Sequence, residues 1–296
     1  MGTTDPVVVC TYGASGLGKS TDCGYSFPTA LFVAAPGALG SIESTCGYSP
    51  KRTQVNTIPE ATKLIEQVAG KFETVVIDDF SFLAEQTFSQ FEKKYNGFKL
   101  WGELRDAALE FRDKARFAKM NVVLNAWEQP PKTKPDGTKL RGGPQLPGKL
   151  PESIPALCDI VLRVQQEPKR KPWPVVYRCH PDPSFVMKDR TNTATSCDPA
   201  PMNLAEILRA SGIAISRHPE YKEQEDHVEA IAQSLTGEVI SDGPLLNNIY
   251  AGLLKKGLAA HFAKWTLRDA VDRFVIRRAK EQAANQFVTV SNALGA

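Results

Sequence analysis

The sequence predicts an α/β fold: a mostly parallel central sheet flanked by helices, followed by a helical extension at the C-terminal end. Three observations predict it. A buried-looking strand at residues 7–11 runs into a glycine-rich turn at 13–18, after which Lys19 and Ser20 open a helix. Short β-branched runs then recur between helical patterns, the alternation that builds parallel sheets. Beyond about residue 198 the strand-like runs stop and helical spacing takes over. The chain is therefore divided into a core at 1–197 and an extension at 198–296.

The elements follow in order. Residues 30–35 form a second apolar run, closed by Pro36-Gly37 and followed by Ile42-Glu43. Residues 59–69 carry Ala61, Leu64, Ile65 and Val68 at helical spacing, and Pro59 suits a first helical turn, whose N–H groups have no intrahelical partner. Residues 72–77 read as a central strand ending in Asp78-Asp79. Helices are expected at about 82–95 and 100–118, and another buried strand at 121–126.

Residues 128–150 break the pattern with five prolines, four glycines and five basic residues against Glu128 and Asp136. They predict a long, mobile, positive loop, and loops of that length inside a compact domain are usually functional or disordered. Late strands are expected at 159–164 and 175–179, with a last one at 185–187 before Lys188-Asp189-Arg190. The extension has breaks near Gly212, Gly237 and Gly243. Its stretch 258–282 places Phe262, Trp265, Leu267, Val271, Phe274 and Val275 on an apolar stripe, with Asp269 and Arg273 spaced for an i,i+4 pair. Packing on its own core is the first reading of that stripe, ahead of a subunit or partner interface and of a DNA contact.

Composition narrows the class. No run approaches eighteen apolar residues and the first residues lack a signal-peptide pattern, so a cytoplasmic protein without membrane contact is expected. Cys10, Cys23, Cys46, Cys158, Cys179 and Cys197 form no C-x-x-C pair and the four histidines show no ligand spacing, which argues against zinc and a disulfide framework. A net charge of +3 does not by itself announce a nucleic-acid binder.

The chemistry concentrates at Gly13-Ala14-Ser15-Gly16-Leu17-Gly18-Lys19-Ser20, with Thr21 following. Glycines at this spacing let successive N–H groups curl around a phosphate while the helix N-terminus adds partial positive charge. Lys19 is placed to bridge β- and γ-phosphates and Ser20 to ligate Mg²⁺, so ATP and Mg²⁺ are the expected cofactors. Asp78, ending a strand expected beside the phosphate-loop strand, is the second metal group, with Asp79 its close competitor. Glu43, shortly past the second strand, is the candidate for orienting the attacking water.

Together these residues resemble the RecA-like core ATPases, most closely the compact phage-type AAA-like ATPases proposed to act as single-strand-annealing recombinases. The carriers are Tyr12-Gly13, Glu43, Val75-Val76-Ile77-Asp78, the strand at 121–125 with its basic loop, Cys158-Asp159-Ile160-Val161, and Lys188-Asp189-Arg190. The resemblance covers about residues 5–192 and not the extension. It implies ATP hydrolysis with Glu43 activating water, and Lys188 and Arg190 reaching the γ-phosphate of a neighbouring subunit in a homo-oligomer with ATP at the interface. It implies a polar sensor at Asn125 or Gln129. It also implies single-stranded DNA held by the basic loop through Lys132, Lys134, Lys139, Arg141 and Lys149, with Trp127 stacking on a base, and a single-strand-binding or replication protein as partner. Lys93, Lys94, Tyr95 and Lys99 form a second possible DNA contact. Two other classes share the phosphate loop: a nucleotide or small-molecule kinase, with residues 132–141 as its lid, and a packaging or virion-associated assembly ATPase.

Overall fold

A computed structural model of the chain describes residues 5–168, 174–180, 182–236 and 243–293. The break expected near Gly237 lies outside these residues. In chain order the elements are β1 (Val8–Tyr12), α1 (Lys19–Ser26), β2 (Leu31–Ala34), α2 (Gly40–Cys46), β3 (Lys51–Thr53), α3 (Ile58–Val68), β4 (Thr74–Asp78), α4 (Phe80–Glu92), α5 (Gly97–Phe117) and β5 (Asn121–Ala126). Then come β6 (Glu128–Gln129), β7 (Lys132–Thr133), β8 (Lys139–Leu140), β9 (Gly143–Pro144), α6 (Leu150–Leu157), β10 (Ile160–Gln166), β11 (Val175–Arg178), β12 (Lys188–Asp189), α7 (Thr193–Ser196) and β13 (Ala200–Pro201). The rest is helical: α8 (Leu204–Ala210), a 3₁₀ segment (Pro219–Gln224), α9 (Glu225–Ser234), α10 (Gly243–Lys255) and α11 (Ala260–Ala293).

Among the described residues the main sheet has nine strands, ordered β13-β11-β10-β1-β5-β4-β2-β3, with β12 also pairing β10. The run from β10 to β3 is parallel and β11, β12 and β13 pair antiparallel. The C-terminal ends of β1, β2, β4 and β5 therefore open at one edge, where the loops after them meet. One expectation is corrected here. The strand ending in Asp78 does not lie beside the phosphate-loop strand, because β5 pairs with both and separates them. β5 is buried along its whole length and suits a central place between two partners.

Period-two alternation explains why the strands read as continuous apolar runs. Val9, Phe32, Val76, Val123 and Leu162 face one core, shared with α1, α2, α8, α9 and α11. Val8, Val33, Ile77, Leu124 and Val161 face the other, shared with α3, α4, α5 and α6. Thr57 caps α3, accepting the Glu60 N–H at 3.3 Å, and so fixes where that helix starts. The extension closes the first core: Leu204, Ile207 and Trp265 lie in the same apolar cluster as Phe32 and Tyr177, across the 197/198 division.

Other local readings change as well. Residues 40–46 form a helix in which Ile42 and Cys46 are buried, and Lys51–Thr53 adds a short edge strand that carries no apolar signal. The segment 128–150 is not a structureless loop. It folds as a ribbon with two nested ladders, β6 with β9 and β7 with β8, turning at Asp136-Gly137, where the Thr138 N–H donates to Asp136 Oδ1 at 2.8 Å. Residues 185–187 form no strand of their own; Phe185 bridges to Gly142, and β12 takes the pairing with β10. Asp269 and Arg273 turn to other partners, Asp269 to Arg217 and Asn203, and Arg273 to Glu206 at 3.1 Å. Both face a packed interface in which acids and bases from other elements surround them. All six cysteines are buried and none is in a disulfide. Among the described residues no helix is long and apolar enough to cross a membrane.

Candidate functional site

The loop after β1 delivers its glycines to the open edge of the sheet. Gly16 and Gly18 sit at φ of 82° and 85°, a region that favours glycine, and nothing approaches the position of a Cβ on either. Gly18 is also the N-cap of α1 and supplies no side-chain cap, so the helix begins with N–H donors unserved by its own cap residue. Lys19, the first helical residue, is buried, and its Nζ donates to Gly13 O at 2.7 Å and Ala14 O at 3.0 Å, two of its three donor positions. Burial lowers the Lys19 pKa, and the nearby Asp78 carboxylate works against that shift.

An ammonium at a helix N-terminus meets the positive end of the helix dipole, an unfavourable place unless an anion joins it. Open glycines, an uncapped helix start and a buried lysine together fit a phosphate group, with the N–H groups donating to it. A cavity of about 500 Å³ lies here, bounded by Ser15, Gly18, Ser20, Thr21, Asp78 and Asp79 among others. Ser20 and Asp78 share its wall, and among the described residues no cluster of three or more acidic, Cys or His side chains could hold a metal alone. Two protein oxygens fit Mg²⁺, which keeps most of its shell as water and phosphate oxygens.

The two neighbouring aspartates divide the work. Asp79 is the N-cap of α4, accepting the Phe82 N–H at 2.7 Å, and burial pushes its pKa up. Asp78 instead accepts from Asn125 Nδ2 at 3.2 Å. Asn125, fully buried at the end of β5, in turn accepts from Thr11 Oγ1 at 2.6 Å. The register places Thr11, Asn125 and Asp78 side by side on β1, β5 and β4. Of the two sensor candidates, Asn125 is the one within this network. Gln129 is in β6, opposite Gly143 in the ribbon.

Other expected residues stand elsewhere. Glu43 is exposed on α2 and accepts from Ser49 Oγ at 2.8 Å; Ala35, Ala38 and Ser41 line the cavity from that side, and Glu43 does not. The reason is helical phase: α2 turns Ile42 and Cys46 into the core, and Glu43 lies across the helix from Ser41. Lys188 lies far from the phosphate loop, at the N-terminal end of β10, where its Nζ donates to Cys158 O at 2.8 Å and to Pro155 O. Arg190 pairs with Asp159 at 2.9 Å in the same corner. Neither joins the cavity of its own chain.

Trp127 does line the cavity, as does Phe82, and its backbone N–H donates to Ser81 Oγ at 3.0 Å. Lys132, Lys134 and Lys139 project from the exposed ribbon, and Lys149 is exposed at the start of α6. Arg141 differs: it donates to Asp182 O at 3.0 Å and to Phe185 O, pinning the base of the ribbon. Sequence reasoning missed Phe82 and Gln54 on the cavity wall, since an exposed helix residue and a polar residue after an unrecognised edge strand give no pattern.

The AAA domain family matches residues 5–191, a span that contains every residue of this cavity. No curated protein matches the chain. Among solved structures the chain is similar to the RadB recombinase, at 16% identity over 63% of this chain and 92% of that one, with a TM-score of 0.36. It is similar to the KaiC-like protein PH0186 from Pyrococcus horikoshii OT3, at 15% identity over 62% and 83%, with a TM-score of 0.37. It is also similar to the flagellar accessory protein FlaH from Methanocaldococcus jannaschii, at 13% over 59% and 78%, with a TM-score of 0.40. At these TM-scores the likenesses add nothing to what strand order and site already give. By its family match over residues 5–191, the chain belongs to the AAA domain family, and its mostly parallel sheet with a glycine-rich loop between β1 and α1 is an α/β architecture.

Proposed function

We propose that the protein binds ATP with Mg²⁺ at the N-terminus of α1, hydrolyses it, and as a homo-oligomer holds single-stranded DNA along the 128–150 ribbon in phage-type recombination or annealing. The observation that carries the ATP half is Lys19, a buried ammonium at an uncapped helix start, facing a cavity that also holds Ser20 and Asp78. In this reading Lys19 bridges the β- and γ-phosphates, and Ser20 and Asp78 hold the metal, which neutralises charge developing on the transferred group. Asn125 orients Asp78 and senses the state of the γ-phosphate. Asp79, whose pKa burial raises, is the second carboxylate on the cavity wall and the group best placed to orient water.

The DNA half rests on the ribbon. Exposed Lys132, Lys134 and Lys139 suit a phosphate backbone, and Trp127 at its base joins the ribbon to the nucleotide cavity. Within an oligomer, Arg190 is the better placed of the K-x-R pair for a neighbour's γ-phosphate, because its pairing with Asp159 is partly exposed and weak.

ATP hydrolysis measured with and without single-stranded DNA, comparing the parent with Lys19→Ala, tests both halves. The parent's rate is expected to rise with DNA and the variant to show none. A parental rate indifferent to DNA, together with no DNA binding at low salt, would remove the recombination half and leave an ATPase of another task.

A further inference from the structure

A second cavity of about 230 Å³ opens on the other side of the phosphate loop and shares Gly18 and Thr21 with the first. Half of its remaining lining residues come from outside the family match. Leu17, Pro174, Val175 and Met202 supply apolar surface, while Arg268 and Asp272 of α11 supply a polar end. We propose that this cavity receives the base of the bound nucleotide, an adenine ring whose exocyclic amine donates to Asp272, so that the C-terminal extension completes the nucleotide site. The proposal rests on the ATP reading above and deepens it.

Continuity is the first argument. A triphosphate lying over Lys19 and Ser20 has its metal end at Asp78, so the sugar and base leave the loop past Gly18 and Thr21, into the second cavity. Size is the second. Pockets for whole ligands run to roughly 300–1,000 Å³, and this one is ring-sized. Chemistry is the third. Apolar walls with one polar end suit a flat heteroaromatic ring, and a buried carboxylate accepts only. Asp272 Oδ2 accepts from Asn203 Nδ2 at 3.1 Å and lies 3.6 Å from Arg268 Nε, which hold the carboxylate in place at the polar end of the cavity. A base presenting a carbonyl in place of the amine would meet it acceptor to acceptor.

The wall is also held in register with the loop it serves. Arg268 donates to Asp22 of α1 at 2.8 Å, and the same carboxylate receives Tyr177 Oη at 2.7 Å and the Leu204 N–H at 3.2 Å. Four elements thus meet on one side chain, one helical turn past Lys19.

Equilibrium binding of ATP, ITP and inorganic tripolyphosphate to the full chain tests the proposal, using the parent, Val175→Trp and Asp272→Asn. ATP is expected to bind about tenfold more tightly than ITP, which carries a carbonyl where adenine has its amine. Val175→Trp, at a half-buried strand position, is expected to weaken ATP about tenfold and leave tripolyphosphate within about twofold. Asp272→Asn is expected to bring the ATP and ITP affinities together, and if that variant does not fold, the Val175→Trp result decides. Equal affinities for ATP and ITP in the parent, or a Val175→Trp chain that binds ATP normally, would overturn the base site while tripolyphosphate binding keeps the phosphate site standing. Loss of tripolyphosphate binding in the parent would instead remove the ATP reading, and this one with it.

Discussion

Lys19 and Lys188 make a controlled comparison within one molecule. Burial lowers the pKa of each, and each donates to two backbone carbonyls. They sit at opposite kinds of helix end. Lys188 serves Pro155 O and Cys158 O at the C-terminus of α6, where the dipole is negative and a cation is favourable by about 0.3–1 kcal/mol without any ligand. Lys19 opens α1, where the dipole is positive and its own acceptors lie within the phosphate loop. A half-buried cation at a helix C-terminus explains itself; a buried one at an N-terminus marks the place of an anion.

The sharpest way to break the comparison is to truncate both. Lys19→Ala is expected to weaken ATP binding by about 100-fold by calorimetry, given the strength of charge-assisted hydrogen bonds, with little change in melting temperature, because relief from the positive end of the α1 dipole offsets the two lost carbonyl contacts. Lys188→Ala should do the reverse, leaving ATP affinity within about twofold while unfolding stability in urea falls by about 1–3 kcal/mol, since two carbonyls lose their donor. Equal losses of ATP affinity would end the contrast and return Lys188 to the nucleotide.

The next effect concerns the network beside Lys19. Asn125→Ala unlinks Thr11 from Asp78, and the hydrolysis rate is expected to fall about tenfold with ATP affinity nearly kept, as for a group acting on the transition state. Glu43→Gln should stay within about twofold, a surface change outside the cavity. A hundredfold loss there would make Glu43 the water-orienting group after all.

Smaller still is the ribbon. Replacing Lys132, Lys134 and Lys139 together by alanine should reduce the salt slope of single-stranded DNA binding by about 0.7 for each phosphate that a lysine no longer neutralises, read from titrations at several salt concentrations. Arg141→Ala should act mainly on the ordering of the ribbon, because its guanidinium is spent on Asp182 O and Phe185 O.

The smallest expected effect is acid sensitivity between α9 and α11. Arg277, with Arg273, holds the Glu229 carboxyl down at about 2 from its ordinary 4.5. A depressed folded pKa means this contribution is complete above 4.5 and is lost as pH falls through about 2. Melting temperatures recorded down that window should fall less steeply in Glu229→Gln than in the parent.

Much of this was legible in local pattern. The buried strands, the phosphate loop and the helices of the extension follow from period-two and period-3.6 spacing, which depend only on neighbours along the chain. Asp78 was legible as a carboxylate ending a strand. Glu43 was harder, because sequence distance from a strand does not set helical phase, and two residues' rotation, about 200°, separates Ser41 on the cavity from Glu43 in solvent. Arg141 looked like its lysine neighbours, and only the approach of residues 182–185 assigned it a structural task.

By itself, then, the sequence determined an α/β core, a phosphate-binding loop with its lysine, and a helical extension. Tertiary structure alone decided that β5 separates β1 from β4 and places Asn125 between Thr11 and Asp78. It alone brought Arg268 and Asp272 to the far wall of the phosphate loop, about 250 residues along the chain. The physical reason is common to both: pairing partners and buried charges are chosen by what stands opposite in space, and no local periodicity encodes that.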